Sequence, residues 1–307
     1  VRIYKPNSSG WVYETTVNLT ATGRTFRRLD LIMNPNGADL AVTCFSTQTP
    51  NGPEPQIFMI DRIWHGGWFT WDLIETLTNP STASDNFGAS IDLDLGRLLV
   101  GDPFSSNSKA YVFDEDQTDG TWFLEVTLDP TITLPSSFGY AVALHGDHAI
   151  VSAVGWNVSG NADQGIALLF KKNSANLWGL AHSFTPSCSD CGGFGSAVGI
   201  SGETVLITSI GKPTHNFGSG FGSLFRERGG TWYELADLTP ASTGNSFVNY
   251  HFGRSLSLSD NTAVFGADGG EHISGLSFPG RVHAFDIDVL WAKFWTGAQD
   301  SDIGEDE

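Results

Sequence analysis

The segment FGYAVALHGDHAIVSA, residues 138–153, decides the fold of this 307-residue chain. Two short runs of small and β-branched residues, 140–144 and 149–153, flank the turn HGD. Short apolar runs on either side of a glycine-containing turn are typical of a β-hairpin. A third such run at 167–170 and a fourth that opens at Trp178 complete a unit of four predicted strands, without helical periodicity.

Two sequence markers show that this unit is repeated. The pair Phe-Gly recurs at intervals of 51, 56 and 58 residues, and Trp recurs at intervals of 57, 54, 56, 54 and 59 residues. A period of about 55 residues with four antiparallel strands per repeat predicts the blades of a β-propeller. The Phe-Gly pairs begin at Phe87, Phe138, Phe194 and Phe252, and the tryptophans are Trp11, Trp68, Trp122, Trp178, Trp232 and Trp291.

Both markers have structural explanations. Phe is expected to fill the space between neighbouring blades, and the Gly beside it permits a close approach of two backbones. Trp is expected to cover the outer hairpin of a blade and to bury a large apolar area. We therefore assign these residues to the core and not to a ligand site.

The content of each unit also resembles a known repeat. A Phe-Gly pair, a hairpin, the strand Ala110-Tyr111-Val112-Phe113 and the turn Gly120-Thr121-Trp122 resemble the FG-GAP repeat of integrin α-subunit head propellers. The resemblance covers residues 26–296, and the first repeat departs from it because Arg27 follows Phe26. It implies an integrin-like, extracellular adhesion propeller.

The same resemblance implies calcium loops between the first and second strands of a blade. Calcium requires six to eight oxygen ligands, whereas the loops at 145–147 and 201–203 hold too few carboxylates. No cofactor is therefore expected, with calcium as the alternative. The richest acidic turn carries Asp114, Asp116 and Asp119 between the third and fourth strands, where a solvated turn is the main interpretation and a cation site the alternative.

The repeats predict one all-β domain over residues 1–297, followed by an acidic tail at 298–307. Five full blades and a partial one belong to a six- or seven-bladed ring, of which the chain is expected to be a fragment. An open blade edge would suit self-assembly by strand addition. The predicted blades span 3–19 (partial), 26–78, 87–129, 138–185, 194–239 and 252–296.

Charge and cysteine usage restrict partners and location. The net charge of −18 disfavours nucleic acid and anionic membranes, and no apolar run approaches the roughly 20 residues that span a bilayer. Cys188 and Cys191 are interpreted as a loop disulfide, with inert thiols or a metal or redox site as alternatives. Together with glycosylation sequons at Asn7, Asn18 and Asn157, they predict a secreted or cell-surface glycoprotein.

Ligand binding is expected in the variable loops on the propeller face, because recognition usually lies in loops held by a rigid scaffold. Trp156, His215, Asp268, Glu271 and His272 are the candidates, and Trp156 either stacks on a sugar ring or packs under its own loop. No catalytic motif is found. The sequence predicts a non-enzymatic module that binds a protein or glycan, with a structural subunit of a surface fibre or sheath and a lyase-like polysaccharide enzyme as alternatives.

Overall fold

The computed structural model describes residues 2–7, 10–16, 24–34, 37–46, 55–81, 86–103, 108–130, 137–158, 162–188, 192–211, 220–240, 251–268 and 280–288. The regular structure in these ranges is antiparallel β-sheet, and consecutive strands of each sheet are hydrogen-bonded neighbours. A hairpin comprises β1 (Arg2–Asn7) and β2 (Gly10–Thr16).

Five further sheets follow, which we number as blades 1 to 5. Blade 1 contains β3 (Arg24–Asn34), β4 (Gly37–Ser46), β5 (Gln56–Trp64) and β6 (Phe69–Thr78). Blade 2 contains β7 (Ser90–Asp94), β8 (Arg97–Asp102), β9 (Lys109–Glu115) and β10 (Trp122–Leu128). Blade 3 contains β11 (Phe138–His145), β12 (His148–Ala153), β13 (Ile166–Lys172) and β14 (Trp178–Phe184). Blade 4 contains β15 (Gly192–Ser201), β16 (Thr204–Gly211), β17 (Phe221–Arg228) and β18 (Thr231–Leu238), and blade 5 contains β19 (Phe252–Ser259), β20 (Thr262–Ala267) and β21 (Arg281–Asp286).

The order in which the blades pack identifies the architecture. The first strands β3, β7, β11, β15 and β19 each contact the next one in this series. Four-stranded antiparallel sheets that place their first strands side by side around a common centre form a β-propeller. The fold class predicted from the repeats is confirmed.

The hydrophobic core lies between blades. Neighbouring residues of a strand point to opposite sides of the sheet, so Leu98 and Val100 face blade 1, whereas Leu99 faces blade 3. Each buried cluster thus combines side chains from two consecutive blades, and four such clusters join blades 1 to 5. The four Phe side chains of the Phe-Gly pairs are fully buried in these clusters.

The glycine of each pair is required by the same packing. Gly139 has a φ of +90°, and a Cβ there would lie 2.6 Å from the carbonyl oxygen of Lys109 and 2.8 Å from the amide nitrogen of Asp102 in blade 2. Gly195 and Gly253 repeat this geometry against Ser152 and Thr208 of the preceding blade. Only glycine combines that φ with so close an approach.

Glutamates on the outer strands also connect neighbouring blades. Glu14 of β2 pairs with Arg62 of blade 1 at 2.8 Å. Glu75 accepts the backbone N–H of Trp122 at 2.7 Å, and Glu125 accepts the indole N–H of Trp178 at 3.1 Å. Each carboxylate therefore accepts from the blade that follows it in sequence, at a point where two sheets meet.

The tryptophan marker holds in blades 2 to 4 and fails in blade 1. Trp122 is buried between blades 1 and 2, and Trp178 and Trp232 pack against the corresponding clusters of blades 3 and 4. Trp68 lies before β6 in the hairpin turn and is 64% exposed, so its assignment to the core is wrong. The side chain of Trp11, and Trp291 altogether, lie outside the described residues.

Candidate functional site

The residues that flank the Phe-Gly pairs meet at one face of the propeller. The residue before the pair is left-handed in three blades, at Ser137 (φ +69°), Gly193 (φ +68°) and His251 (φ +50°). The residue after the pair is Tyr140 in blade 3, Ser196 in blade 4 and Arg254 in blade 5. A conserved turn geometry within the chain thus presents different side chains at equivalent positions, which is how a repeat acquires a specific site.

The residues after the pairs, Tyr140, Ser196 and Arg254, line the mouth of a central channel. Its volume is about 340 Å³, and the first strands of blades 2 to 5 form its wall. Small and apolar side chains line it together with polar ones. The polar lining residues are Ser90, Asp92, Tyr140, Ser196, Arg254, Ser255 and Ser257.

Part of this polar lining is already used by the fold. The Ser90 hydroxyl donates to the carbonyl oxygen of Gly139 at 2.9 Å, and Asp92 accepts the backbone N–H of Leu144 at 2.5 Å. Both bonds join blade 2 to blade 3. By contrast, Arg254, Ser255 and Ser257 on β19 are exposed to the channel.

A charged cluster lies at the blade 5 side of the mouth. His251 Nδ1 is 2.8 Å from Asp268 Oδ1, and Arg254 Nε is 3.5 Å from Asp268 Oδ2. Asp268 follows β20, so one loop carboxylate contacts both His251, which precedes β19, and Arg254, which lies on β19. The contact uses Nε of Arg254, whose side chain is 57% exposed.

A shallow depression of about 300 Å³ continues the mouth between blades 3 and 4. Tyr140 and Ser196 line both spaces, and Asp163 is added from the loop after β12. The mouth therefore offers an aromatic hydroxyl, an aliphatic hydroxyl, a guanidinium, an imidazole and two carboxylates within one surface.

The predicted loop residues fall partly within this arrangement. Asp268 is the charged centre of the cluster. Trp156 is half-buried and packs against the core cluster between blades 2 and 3, while its backbone N–H donates to Ala153 O at 3.2 Å. His215, Glu271 and His272 lie outside the described residues. Sequence reasoning missed Tyr140, His251 and Arg254, although their positions beside Phe-Gly pairs were the signal that identifies them.

The acidic turn of blade 2 closes on itself. Asp116 Oδ1 accepts the backbone N–H of Thr118 at 2.8 Å, and Asp119 Oδ1 accepts the backbone N–H of Thr121 at 3.0 Å. The Thr118 hydroxyl is the largest cause that lowers the pKa of Asp116, and the Thr118 backbone N–H is the second. Asp114 lies 3.8 Å from Arg97. In the described part of the chain, no three His, Cys, Asp or Glu side chains come together as a metal site.

The remaining sequence candidates concern modification and location. Cys188 is disulfide-bonded, and its predicted partner Cys191 lies outside the described residues. The exposed Asn157 side chain accepts the backbone N–H of Asp163, a residue that lines the shallow depression, at 3.0 Å. The side chain of Asn7, and Asn18 altogether, are not among the described residues. Over the ranges described, no helix is both long and apolar enough to cross a membrane.

The described groups with shifted pKa values lie away from the mouth. Burial raises the pKa of Tyr111 to about 12, with the nearby Asp102 charge as the second cause. Burial is also the largest cause that lowers the pKa of His148 and of His182. All three side chains belong to blades 2 and 3 and help to form their packed interior or its margin.

Comparison with known proteins gives similarity in structure only. No family model and no curated protein matches the chain in sequence. A Trypanosoma rangeli sialidase in complex with sialic acid aligns with a TM-score of 0.46 and 13% identity, over 92% of this chain and 49% of that one. The same sialidase with the inhibitor DANA aligns with a TM-score of 0.45 and 12% identity, over 94% of this chain and 50% of that one. The sialidase without a named ligand aligns with a TM-score of 0.47 and 14% identity, over 92% of this chain and 49% of that one.

The chain thus spans about half the length of these sialidase chains. The prediction that the chain is not an enzyme is contradicted by this comparison, because the matched structures are sialidases, and we withdraw it.

Proposed function

We propose that this β-propeller acts on glycans and that it holds an acidic sugar at the mouth of the central channel. The observation that carries the proposal is Arg254, which β19 places at the mouth beside Tyr140 and the serines of β15 and β19. Guanidinium groups bind carboxylates through two parallel hydrogen bonds, and hydroxyl groups suit the hydroxyls of a sugar.

The charge of the whole protein makes this arginine decisive. At a net charge of −18, the chain repels anions at long range, but charges more than about 8 Å apart are largely screened at physiological salt. Affinity for an anionic ligand therefore depends on the cation that it touches. Asp268 lies 3.5 Å from Arg254, so it partly neutralises the guanidinium and also orients it. We therefore expect this carboxylate to influence the affinity of Arg254 for an anionic ligand.

The proposal is tested by isothermal titration calorimetry with two acidic trisaccharides, one that ends in glucuronate and one that ends in sialic acid. Each is compared with its neutral counterpart. We expect binding of an acidic sugar that Arg254→Ala weakens by roughly 10- to 100-fold, the value of a charge-assisted hydrogen-bond pair. Arg254→Lys keeps the charge and loses the two-pronged geometry, so an intermediate affinity is expected. Arg228→Ala, in the outer turn of blade 4 on the opposite face, is the matched control and should bind as the parent does.

The same titrations, followed by chromatography of the sugar, separate recognition from turnover. Cleaved product that disappears in His251→Ala would make the propeller glycan-active, with His251 and Asp268 at the reacting sugar. Binding without product would make it a recognition module. If none of the acidic sugars binds the parent protein, the proposal fails.

We also propose that the chain works outside the cell, as the FG-GAP-like repeat implies. The disulfide at Cys188 supports this, because such bonds persist in oxidising compartments. Mass spectrometry of the protein from its natural source should detect a glycan on Asn157, whose side chain is exposed. An unmodified Asn157, together with a free thiol at Cys188, would count against this location.

A further inference from the structure

The outer hairpin of blade 1 ends in a group of exposed aromatic side chains. We call Trp64, His65, Trp68 and Phe69 the aromatic tip. Trp64 is 55% exposed, Trp68 64% and Phe69 40%, and the two glycines between them have open space around their Cα atoms. Exposed aromatic clusters of this kind on a soluble protein mark binding surfaces.

The fold does not require aromatic residues at this position. The equivalent turn of blade 2 is closed by Asp116 and Asp119, which cap neighbouring backbone N–H groups. The turn of blade 3 is closed by Asn173 in the same way, and that of blade 4 contains Gly229 and Gly230. These are ordinary turn residues with a local structural role. The aromatic tip therefore serves something other than closure of the hairpin.

The two sides of the tip are different. On one side Phe69 packs against Trp64, with ring centroids 4.6 Å apart, and Arg62 lies 3.8 Å above the Phe69 ring. Arg62 is in turn paired with Glu14 of β2. This side faces the preceding hairpin, so its aromatic rings contribute to packing.

The other side presents an aromatic ring next to a row of polar groups. Trp68 stacks on His65, with centroids 5.8 Å apart and planes inclined by 24°. The Thr70 hydroxyl donates to Asp72 Oδ2 at 2.6 Å, and His65 Nε2 lies 2.8 Å from Thr70 Oγ1. Since the only hydroxyl proton of Thr70 is directed to Asp72, the Nε2 of His65 is the donor in the second bond.

From this arrangement we infer that the Trp68 side of the aromatic tip is a second carbohydrate site, which takes a neutral sugar. The C–H groups of a pyranose with equatorial substituents form a flat apolar face that carries slight positive charge, whereas the face of the indole ring is negative. A sugar stacked on Trp68 would direct its rim hydroxyls to Asp72, a two-oxygen acceptor. Ring and acceptor on one side of a hairpin provide the two contacts that a sugar requires.

Charge at this side favours a neutral ligand. Asp72 raises the pKa of the neighbouring Asp61, after burial as the largest cause, and Asp61 in turn contributes to the raised pKa of Glu115 on blade 2. The carboxylates therefore form a negative surrounding that repels acidic sugars and anionic lipid headgroups. The preference is the reverse of that expected at Arg254.

The two sites are also separate in space. Because the strands of a blade alternate in direction, the hairpin between third and fourth strands ends on the face opposite to the loop between second and third strands. The aromatic tip and the channel mouth are thus at opposite ends of their blades, and the inference does not depend on the proposed function.

The inference is tested by titrating the full chain with three neutral sugars, cellohexaose, xylohexaose and chitohexaose. Binding is followed by tryptophan fluorescence and calorimetry. We expect at least one of them to bind, Trp68→Ala to weaken it by about tenfold or more, and Asp72→Ala to weaken it by a smaller factor. Phe123→Ala removes an aromatic ring that is 49% exposed on blade 2 and serves as the matched control, which should bind as the parent does. Arg254→Ala should likewise leave this binding unchanged.

Each contrary result overturns the inference. Failure of all three sugars to bind the parent would exclude a neutral-sugar site. Equal loss in Phe123→Ala, or unchanged binding in Trp68→Ala, would place the sugar elsewhere, and equal loss in Arg254→Ala would assign it to the channel mouth. Urea unfolding midpoints of all variants must match the parent, which is expected because Trp68 is mostly exposed.

Discussion

Replacing Gly139 with alanine places a methyl group where blades 2 and 3 meet. The glycine follows Phe138 at the start of β11 and has a φ of +90°. The added Cβ would lie 2.6 Å from the Lys109 carbonyl oxygen, 2.8 Å from the Asp102 nitrogen and 3.1 Å from the Cα of Gly101. All three are backbone atoms, so no side chain can rotate away to make room.

Two costs add in this variant. A left-handed conformation costs an L-residue about 1–2 kcal/mol, and overpacking against a fixed neighbour costs about 1–3 kcal/mol. The expected loss is therefore about 3 kcal/mol of unfolding free energy. Gly146→Ala in the next turn of the same blade isolates the first cost, because Gly146 has a φ of +53° and no atom within 4 Å of a built Cβ.

Urea unfolding followed by circular dichroism and tryptophan fluorescence measures both variants. We expect Gly146→Ala to lose about 1 kcal/mol and Gly139→Ala about 2 kcal/mol more. The argument for a close approach between blades is refuted if the two variants lose the same free energy. A small loss in Gly139→Ala would mean that the blades can separate without cost.

Three further changes test the interface between blades. Glu125→Ala leaves Lys172 and the Trp178 indole without their carboxylate and should lower the free energy of unfolding, measured in urea, by about 2–3 kcal/mol. Replacement of the exposed Asp129 by alanine is the control and should change that free energy by less than about 0.5 kcal/mol. Phe194→Ala should cost about 3–5 kcal/mol by the same measurement, because the side chain is fully buried; a loss below 1 kcal/mol would contradict the shared core. Burial lowers the pKa of His148 below its usual 6.5, so its contribution to stability is present above pH 6.5 and is lost as the pH falls below that value. Between pH 7 and 5, His148→Gln should therefore lose less stability than the parent, and parallel pH curves would show that His148 is not responsible.

The repeat was readable from sequence because its markers are constrained by backbone contact. Phe138 and Gly139 are both constrained, since one fills the space between two blades and the other lies against a neighbouring backbone. Such positions recur at a fixed period, and period is visible in a single sequence. The four-stranded antiparallel sheets follow from the alternation of short runs and turns.

The site was harder to predict because it consists of the positions that vary between repeats. Tyr140, Ser196 and Arg254 are equivalent positions with unrelated side chains, so the Phe-Gly marker gives their position but no recurring side chain indicates a site. Their meeting at one channel follows from the ring arrangement of the blades and not from distance along the chain. Trp68 was misassigned for the same reason, since a period alone does not show whether a tryptophan lies on a strand or in the turn before it.

The placement of every buried cluster between two blades has a consequence for cooperativity. A single blade has polar or shared surfaces and no interior of its own, so its stability depends on both neighbours. Among the described blades, local opening is then expected to advance one interface at a time, as in a one-dimensional array, and to reach last a blade that is packed on both sides. Hydrogen exchange along the chain should accordingly report a gradient of protection, with blade 3 among the last to open.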